Sequence, residues 1–181
     1  EASKRMQILI NGLLTFSRVG TQAHAFEKTD LSKIVDEALT DLEDRIQRTN
    51  GRVEVGELPV IECDPAQIQQ LMQNLIGNAL KFHHPDRNPV IKINAQIIEQ
   101  YCQIRVEDNG IGFDQQYAER IFKPFQRLHS RDQYEGTGMG LAICRRIVER
   151  HSGSITAGAS PDGGAAFIFN LPVNQVQEDN I

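Results

Sequence analysis

The sequence predicts an α+β fold, a two-layer arrangement in which a mixed β-sheet is covered by helices on one face. Runs with the composition of β-strands come in pairs, and segments with a 3.6-residue apolar period separate those pairs. The chain has 181 residues, of which 40% are hydrophobic, enough for one well-buried α/β domain and a short additional element. We assign the domain to residues 30–173.

The N-terminal segment, residues 1–20, is predicted to be a helix that joins a helix bundle. Its apolar residues recur at spacings of three and four, and no capping residue precedes them. Residues 21–29 form a short polar linker in this interpretation. Asp30 then has the residue type of a helix cap, and a second amphipathic helix is expected to follow it to about Thr49.

A helix with strong start signals is expected after Asp64, because proline occupies its first position and a glutamine lies three residues after the cap. Two short strands precede this helix, and two hairpins with a further helix between them follow it. The predicted strands are 52–56, 59–62, 90–98, 101–107, 154–157 and 165–171, and the later helices are a short one at 117–121 and one that begins near Gly140 and ends at 151–153. Residues 174–181 are predicted to be a disordered tail.

The composition excludes several classes of protein. A net charge of -5 argues against nonspecific nucleic-acid binding, which requires a basic face. No run approaches the roughly 18–20 apolar residues that span a bilayer, and no signal-peptide pattern opens the chain, so we expect a cytoplasmic segment without membrane contact. Cys63, Cys102 and Cys144 lie far apart in apolar stretches and are predicted to be core thiols.

Two amides and an ammonium share one flank of the helix that follows Asp64. Asn74 and Asn78 are four residues apart and Lys81 follows three later, which places all three on nearly the same line. Asparagine is unusual inside an amphipathic helix, and its amide oxygen suits Mg²⁺ when phosphates supply the negative charge. Lys81 could then contact a phosphate. The alternative is a polar helix face in contact with water.

Two glycine-containing segments follow strands or precede helices. Asp108 ends a predicted strand before the glycines at 110 and 112, and its carboxylate could accept a hydrogen bond from the exocyclic amine of adenine; the alternative is a simple Asx turn. The segment 136–140, Gly-Thr-Gly-Met-Gly, precedes a helix whose free amides favour a phosphate. Its spacing matches neither a Walker A motif nor a Rossmann fingerprint, so it is a different phosphate loop or a flexible hinge.

Four motifs occur in the order and approximate spacing of the N, G1, F and G2 boxes of sensor histidine kinases; they are 74–82, 108–113, 121–127 and 136–141. From residue 31 to 172 the chain closely resembles the ATP-binding catalytic domain of that family, within the superfamily that includes gyrase and Hsp90-type ATPases. Residues 5–19 resemble the second helix of the family's dimerisation and phosphotransfer hairpin. The resemblance implies a Bergerat-type sandwich with three helices on one face of the sheet.

The resemblance also implies roles for individual residues in binding ATP and Mg²⁺. It makes Asn78 the Mg²⁺ ligand and Asp108 the adenine contact, with Gly110 and Gly112 shaping the adenine pocket. The resemblance places the following residues at the phosphates: Lys81, Arg127, Thr137, Gly138, Met139, Gly140 and Leu141. It makes Phe122 and Phe125 the anchors of a lid formed by residues 128–135. For His129, Arg131 and Tyr134 in the lid, exposure to solvent is favoured over nucleotide contact.

Asn74 distinguishes the resemblance to kinases from that to ATP hydrolases. In the hydrolases the matching position typically carries a glutamate that activates water, and an amide cannot act as that base. We therefore expect ATP to be positioned for transfer of its γ-phosphoryl group, with Asn74, Lys81 and Arg127 in the catalytic set. The acceptor histidine of the family precedes residue 1 in this alignment of motifs, and none of the five histidines present has a matching context.

The leading hypothesis is the catalytic part of a sensor histidine kinase. Its expected partners are the acceptor histidine helix of the parent protein, a response-regulator receiver domain, and a second copy in a homodimer. The alternatives are a conformational ATPase of the gyrase or Hsp90 type, which steady ATP turnover would favour, and a noncatalytic nucleotide-binding and dimerisation module. A departure from the family pattern, Ala165-Ala166 after two glycines, is expected to alter packing more than chemistry.

Overall fold

The computed structural model describes residues 2–129, 134 and 136–175. Helices and strands alternate in the order expected of an α+β chain. The helices are α1 (Ala2–Thr21), α2 (Leu31–Asp41), α3 (Glu43–Arg48), α4 (Pro65–Lys81) and α5 (Gly140–Arg150). The strands are β1 (Glu27–Asp30), β2 (Arg52–Val55), β3 (Val60–Cys63), β4 (Val90–Ile98), β5 (Tyr101–Asp108), β6 (Ser154–Ala159) and β7 (Ala165–Pro172).

The main sheet has five strands in the order β2-β4-β5-β7-β6, with β2 parallel to β4 and the remaining pairs antiparallel. Alternate residues of the central strands, such as Ile93 and the opposing Val106, point into the core. Helices α2, α4 and α5 pack side by side over that face. The predicted mixed sheet with a layer of helices is confirmed.

Helix α4 is the best-specified element of the helical layer. The Asp64 carboxylate caps it by accepting a hydrogen bond from the backbone amide of Gln67 at 3.3 Å, and Pro65 occupies its first turn. Leu71 and Ile76 on its apolar stripe are completely buried, and each such side chain stabilises the fold by roughly 1.5–3 kcal/mol. Burial of this stripe fixes the rotation of α4 and therefore the direction of its polar flank.

The predicted helix from Asp30 to Thr49 is divided, and this boundary prediction is wrong. Leu42 interrupts it with φ -102° and ψ 5°, which separates α2 from α3. Thr40 and Asp41 are weak helix formers, and the Asp41 carboxylate accepts hydrogen bonds from two glutamine side chains of α4. This contact between the helices favours a break at Leu42 over a continuous helix.

Two other local predictions also differ from the structure. Within the predicted linker, β1 pairs antiparallel with β3, so that Lys28 lies opposite Glu62. A four-residue strand of sequence Glu-Lys-Thr-Asp carries little periodic signal, and its partner strand supplies the reason for its conformation. The predicted helix at 117–121 consists instead of two single 3₁₀ turns, Gln115–Tyr117 and Arg120–Phe122.

A buried polar cluster joins the linker to the helical layer. The Asp64 side chain is completely buried, and its Oδ2 accepts hydrogen bonds from the His24 backbone amide and from Arg150 Nη1, each at 2.9 Å. Arg150 also donates to the Gln67 side chain at 2.8 Å and to the His24 carbonyl at 2.7 Å. The buried charge of Asp64 is thereby paired and hydrogen-bonded, as the interior requires.

His151, at the end of α5, completes this cluster. Its Nε2 accepts from the Asp64 backbone amide at 3.0 Å, so the ring's Nδ1 carries the proton that is donated to the Ile147 carbonyl at 2.7 Å. Burial lowers the pKa of His151, which agrees with this neutral form. The ring also contacts Phe26 of the linker, with centroids 4.9 Å apart. His151 is therefore a structural residue of the core.

Helix α1 packs against α5 and the segment before it. Val19 is buried, and Phe16 lies under the Arg146 guanidinium at 4.9 Å from its ring centroid. Gly12 approaches Met139 so closely that an added Cβ would lie 3.0 Å from Met139 Cγ. Helix α1 also exposes large apolar side chains; they are Met6, Ile8, Ile10, Leu13 and Leu14. Its assignment as a bundle-forming helix stays a prediction.

Cys63, Cys102 and Cys144 are free, buried thiols, as predicted. Among the described residues, none of the helices combines the length and the apolar character needed to cross a membrane. The predicted domain boundaries remain predictions. Gln175, inside the segment predicted to be a tail, donates to the carbonyls of Glu62 and His151, and residues 176–181 lie outside the described residues.

Candidate functional site

A cavity of about 250 Å³ lies between α4, the ends of β5 and β7, and the loop that precedes α5. Most of the residues singled out from the sequence meet here. The predicted residues that line it are Asn78, Lys81, Asp108, Gly112, Arg127, Thr137, Gly138, Gly140 and Leu141. The remaining predicted residues are not part of the cavity lining; they are Asn74, Gly110, Phe122, Phe125 and Met139.

Asp108, the last residue of β5, presents a buried carboxylate to the cavity. Its Oδ1 accepts hydrogen bonds from the backbone amides of Gly110 at 2.8 Å and Ala165 at 3.1 Å. Burial raises the pKa of Asp108, and the two backbone donors oppose that effect. Because Oδ1 is fixed by the protein, the orientation of the whole carboxylate is set before any ligand binds.

Glycines allow the backbone to approach Asp108. A Cβ at Gly110 would lie 2.4 Å from the Phe82 carbonyl oxygen, and one at Gly164 would lie 2.1 Å from Asp108 Oδ1. Gly112 has φ +63°, which favours glycine. The need for Gly164 was missed from the sequence, where the pair Gly163-Gly164 indicated only a hairpin turn. Its position after the turn, beside the Ala165 amide that holds Asp108, is what makes it necessary.

The polar flank of α4 supplies one cation of the site, Lys81. Burial, together with the neighbouring cations of Arg127 and Arg45, lowers the pKa of Lys81 to about 8. Its Nζ lies 4.4 Å from the centroid of the Phe82 ring. Asn78 faces the cavity, whereas the Asn74 side chain donates through Nδ2 to the Gly140 carbonyl at 3.3 Å. The two asparagines therefore have different surroundings although they share a helix face.

The loop before α5 has a backbone that requires glycine. Gly136 has φ +148° and Gly138 has φ +74°, and a Cβ at Gly138 would lie 2.8 Å from the Gln126 carbonyl oxygen. The Thr137 hydroxyl accepts from the Met139 backbone amide at 3.1 Å. Because α5 begins at Gly140, the free amides at its N-terminus face the cavity that Lys81 also lines.

The segment before the lid is anchored by aromatic packing. Phe122 is buried, its ring meets Phe167 edge to face at 6.3 Å, and the Arg145 guanidinium lies 4.4 Å from its centroid. Phe125 is half exposed with φ +62°, and its backbone contacts Gly138 closely. The sequence-based assignment of both phenylalanines as lid anchors stays a prediction.

The start of the lid closes one side of the cavity. Arg127 donates hydrogen bonds to the carbonyl oxygens of Tyr134 and Gly136. The expectation that His129 and Tyr134 face solvent is wrong: both line the cavity, and each contacts the Phe82 ring, at 5.5 Å and 4.9 Å respectively. The short polar lid sequence gave no periodic signal for this inward orientation. Arg131 lies outside the described residues.

The cavity lining combines groups of opposite charge. Asp108 supplies an acceptor-only carboxylate, and Lys81, Arg127 and the N-terminus of α5 supply positive charge. Within the described part of the chain, no cluster of three or more His, Cys, Asp or Glu side chains could hold a metal ion by itself. A metal in this cavity would therefore need oxygen ligands from a bound anion in addition to the Asn78 amide.

This fold and this cavity define an ATP-binding domain of the kind shared by histidine kinases, DNA gyrase B and Hsp90. The chain belongs to that family: the sequence model described as "Histidine kinase-, DNA gyrase B-, and HSP90-like ATPase" matches residues 63–175. Within the family it is a domain of the histidine kinase type, because the solved structures it resembles are catalytic domains of histidine kinases. The resemblance inferred from the four motifs is confirmed.

Three comparisons illustrate this similarity. The phytochrome-like protein Cph1 of Synechocystis is 46% identical over 168 residues, which cover 93% of this chain and 22% of that protein. The catalytic domain of the histidine kinase ThkA is 27% identical with a TM-score of 0.69, covering 84% of this chain and all of that one. Full-length ShkA in complex with AMPPNP is 25% identical with a TM-score of 0.77, covering 97% of this chain and 37% of that one. The chain thus spans about a fifth of the length of its phytochrome-like relative.

Proposed function

We propose that this chain is the catalytic, ATP-binding part of a sensor histidine kinase, which transfers the γ-phosphoryl group of ATP to a histidine outside this chain. The observation that carries the proposal is the convergence of Asn78, Lys81, Asp108 and the glycine loop on one cavity of suitable size. The structure of ShkA with the ATP analogue AMPPNP, which shares this fold, supports a nucleotide as the ligand. The domain would act in the cytoplasm.

Asp108 is proposed to bind the adenine. Its ionised carboxylate only accepts hydrogen bonds, and the exocyclic amine of adenine is a donor. Because the backbone amides of Gly110 and Ala165 hold Oδ1, the second oxygen has a fixed direction in which to accept. This preorganisation reduces the entropy that is lost when the base binds.

The phosphates are proposed to lie against Lys81, Arg127 and the N-terminus of α5, which supply positive charge. Two guanidinium nitrogens of Arg127 already donate to the carbonyls of Tyr134 and Gly136, so a phosphate contact must use its remaining donors or replace these bonds. The Asn78 amide oxygen would hold Mg²⁺ together with phosphate oxygens; when bound, the ion would neutralise charge on the transferring group.

Asn74 is proposed to position the site without acting as a base. Its Nδ2 donates to the carbonyl of Gly140, the first residue of α5, and so links α4 to the phosphate loop. An amide cannot remove a proton from water at neutral pH, so bound ATP should be hydrolysed only slowly. The γ-phosphoryl group is thereby retained until an imidazole nitrogen of the acceptor histidine approaches in line with the bond to be broken.

The proposed partners follow from this reaction. The acceptor is a histidine on the helix that pairs with α1 in the parent protein, and the exposed apolar side of α1 provides a surface for that helix and for a homodimer. The phosphoryl group would pass to an aspartate of a response regulator. In support, the histidine kinase ThkA, of similar fold, has been solved in complex with a response regulator protein.

The proposal is tested by incubating the full-length parent protein with ATP labelled in its γ-phosphoryl group. We expect protein-bound label that is labile in acid and stable in alkali, as a phosphohistidine is. Replacement of the upstream histidine should abolish the label while nucleotide binding is retained. Steady release of phosphate without bound label would instead place the chain with the conformational ATPases, and failure to bind Mg-ATP would leave a noncatalytic module.

A further inference from the structure

Three aromatic rings form a contiguous wall on one side of the cavity. Phe82, the residue that ends α4, contacts His129 at 5.5 Å and Tyr134 at 4.9 Å between ring centroids, and His129 contacts Tyr134 at 5.3 Å. All three rings line the cavity that also contains the Asp108 carboxylate. We refer to Phe82, His129 and Tyr134 as the aromatic wall.

The aromatic wall is held in place at both chain segments that contribute its rings. Phe82 is fixed by the end of α4, where its backbone amide donates to the Asn78 carbonyl at 2.9 Å. Tyr134 is fixed through its backbone carbonyl, which accepts from the Arg127 guanidinium. The wall therefore adjoins both cations of the site, because Lys81 Nζ lies 4.4 Å from the Phe82 centroid.

The edge contact at Asp108 cannot by itself account for binding of a base. One carboxylate oxygen can accept from a single exocyclic amine and contacts only the edge of the base, so the faces of the base still need a partner. A flat heteroaromatic ligand gains most of its affinity from stacking on rings, which is tolerant of the base's identity. The cavity offers such rings, and they come from both α4 and the segment after Arg127.

We propose that Tyr134 and His129 contact the nucleotide. Together with Phe82 they form the surface on which the face of the base lies, while Asp108 accepts a hydrogen bond from the edge of the base. This inference rests on the proposed nucleotide-binding function. It assigns the edge of the base to Asp108 and the face to the aromatic wall. Tyr134 and His129 then contribute to base affinity and not to binding of the phosphates.

The test compares binding of ADP and of inorganic pyrophosphate by calorimetry in the wild type and in variants of Tyr134. Removing a stacked ring should weaken binding of a base by roughly tenfold. We therefore expect about that loss for ADP with Tyr134→Ala, little change with Tyr134→Phe, and equal pyrophosphate binding in all three proteins. His129→Ala should show the same pattern as Tyr134→Ala. Tyr101→Ala, at the exposed far end of β5, is the matched control and should bind ADP as the wild type does.

The absence of tryptophan from the sequence permits a second, direct measurement. Tyr134→Trp places a single indole in the aromatic wall, where its emission can be excited at wavelengths that adenine does not absorb. ADP should change this emission, and pyrophosphate should not. Tyr101→Trp should show no change with either compound.

The outcomes separate this inference from the function on which it rests. If the wild type binds ADP but Tyr134→Ala binds it equally well and the Tyr134→Trp emission is unaltered, the aromatic wall does not contact the base although the nucleotide site stands. Loss of pyrophosphate binding in Tyr134→Ala would assign the residue to the phosphates and overturn the base contact. If the wild type binds no ADP, the proposed function itself fails.

Discussion

The Asp108 carboxylate is held in position by backbone groups from two separate segments of the chain. Gly110 lies two positions after it, whereas Ala165 lies 57 positions further along the chain, and both donate to the same oxygen. A carboxylate that is held in this way is oriented without a bound ligand. The proposed adenine contact therefore depends on one atom, the second carboxylate oxygen.

Asp108→Asn is expected to leave the fold intact and to remove adenine recognition. The amide oxygen can still accept from Gly110 and Ala165, which turns the NH₂ group toward the amine of adenine, so that two donors face each other. Because a hydrogen bond to a charged group contributes about 1.5–3 kcal/mol, we expect affinity for ADP to fall about a hundredfold by calorimetry. The exposed Asp86→Asn serves as control. Unchanged affinity in Asp108→Asn would refute the assignment.

The charge of Lys81 lowers the stability of the folded protein. Its pKa of about 8 in the folded protein is below the ordinary value of 10.5, so the charged form is disfavoured in the native state. Since the unfolded chain binds this proton more tightly, the effect destabilises the protein at neutral pH and disappears as the pH rises from about 8 to 10.5. Phosphates would compensate the same charge when they bind.

Lys81→Met should reveal this effect as a pH-dependent difference in stability. We expect the free energy of unfolding of the wild type, relative to the variant, to rise between pH 7 and pH 10.5 by on the order of 1 kcal/mol, a figure reduced for partial solvent screening. Urea unfolding at several pH values measures it, and exposed Lys33→Met should follow the wild type. A pH-independent difference would contradict the shifted pKa. The same variant should weaken binding of ATP far more than that of adenosine.

The sequence alone indicates the positions of individual residues where their geometry depends only on their neighbours in the chain. The spacing of Asn78 and Lys81 on one helix, and the position of Asp108 at the end of a strand, follow from neighbouring residues alone. Gly164 and Tyr134 were missed or misjudged because their roles depend on distant partners. Gly164 must be small only because β5 lies against it, and Tyr134 faces inward only because Phe82 and Arg127 meet it there.

At the scale of elements, the β6–β7 hairpin forms one side of the nucleotide cavity. Its last strand pairs with β5 in a register that places Ala166 opposite Glu107, and this register brings the Ala165 amide to Asp108. The turn between β6 and β7 therefore determines whether the carboxylate is held. An element that was identified from the sequence as a simple closing hairpin thus also supports the binding site.

Gly164→Ala is expected to displace this hairpin from Asp108. The new Cβ would overlap backbone atoms of Asp108 and Gly110, which cannot yield as a flexible side chain can. We expect a loss of about 1–3 kcal/mol in the free energy of unfolding and at least about tenfold weaker ADP binding. Gly158→Ala in the same hairpin is the control, because its added Cβ would be 3.7 Å from its nearest neighbour. Equal behaviour of the two variants would count against this role of Gly164.

The major elements were predictable and the minor ones were not, for a common physical reason. Long amphipathic segments such as α4 and long strands such as β5 carry their own periodic signal, which burial then reinforces. β1 and the break at Leu42 have no such signal, since pairing with β3 and the contacts of Asp41 with α4 decide their conformation. Tertiary contacts override local propensity most easily in short segments.

On the scale of the whole molecule, the buried cluster around Asp64 joins the linker, α4 and α5. Arg150 contacts three of its members directly: Asp64, Gln67 and His24. The linker between α1 and the sheet is therefore attached to the helical layer at several points.

Arg150→Met should loosen this attachment without altering the nucleotide cavity. Breaking a buried ion pair leaves the Asp64 carboxylate without its cation, so we expect a loss of about 3 kcal/mol in the free energy of unfolding. Hydrogen exchange at the His24 amide should accelerate, whereas ADP affinity should be retained. Arg52→Met, which removes an exposed ion pair with Glu54, should change stability by less than about 1 kcal/mol. Comparable effects of the two variants would show that the cluster does not hold the linker.

The contact between Gly12 of α1 and Met139 of the glycine loop has a thermodynamic consequence. Met139 lies between α1 on one side and, on the other, loop residues that line the cavity. If a bound nucleotide moves Met139, the free energies of ligand binding and of helix docking are linked, and each must alter the other by the same factor. Nucleotide binding would then change how tightly α1 docks on the domain, and displacement of α1 would change the affinity for nucleotide.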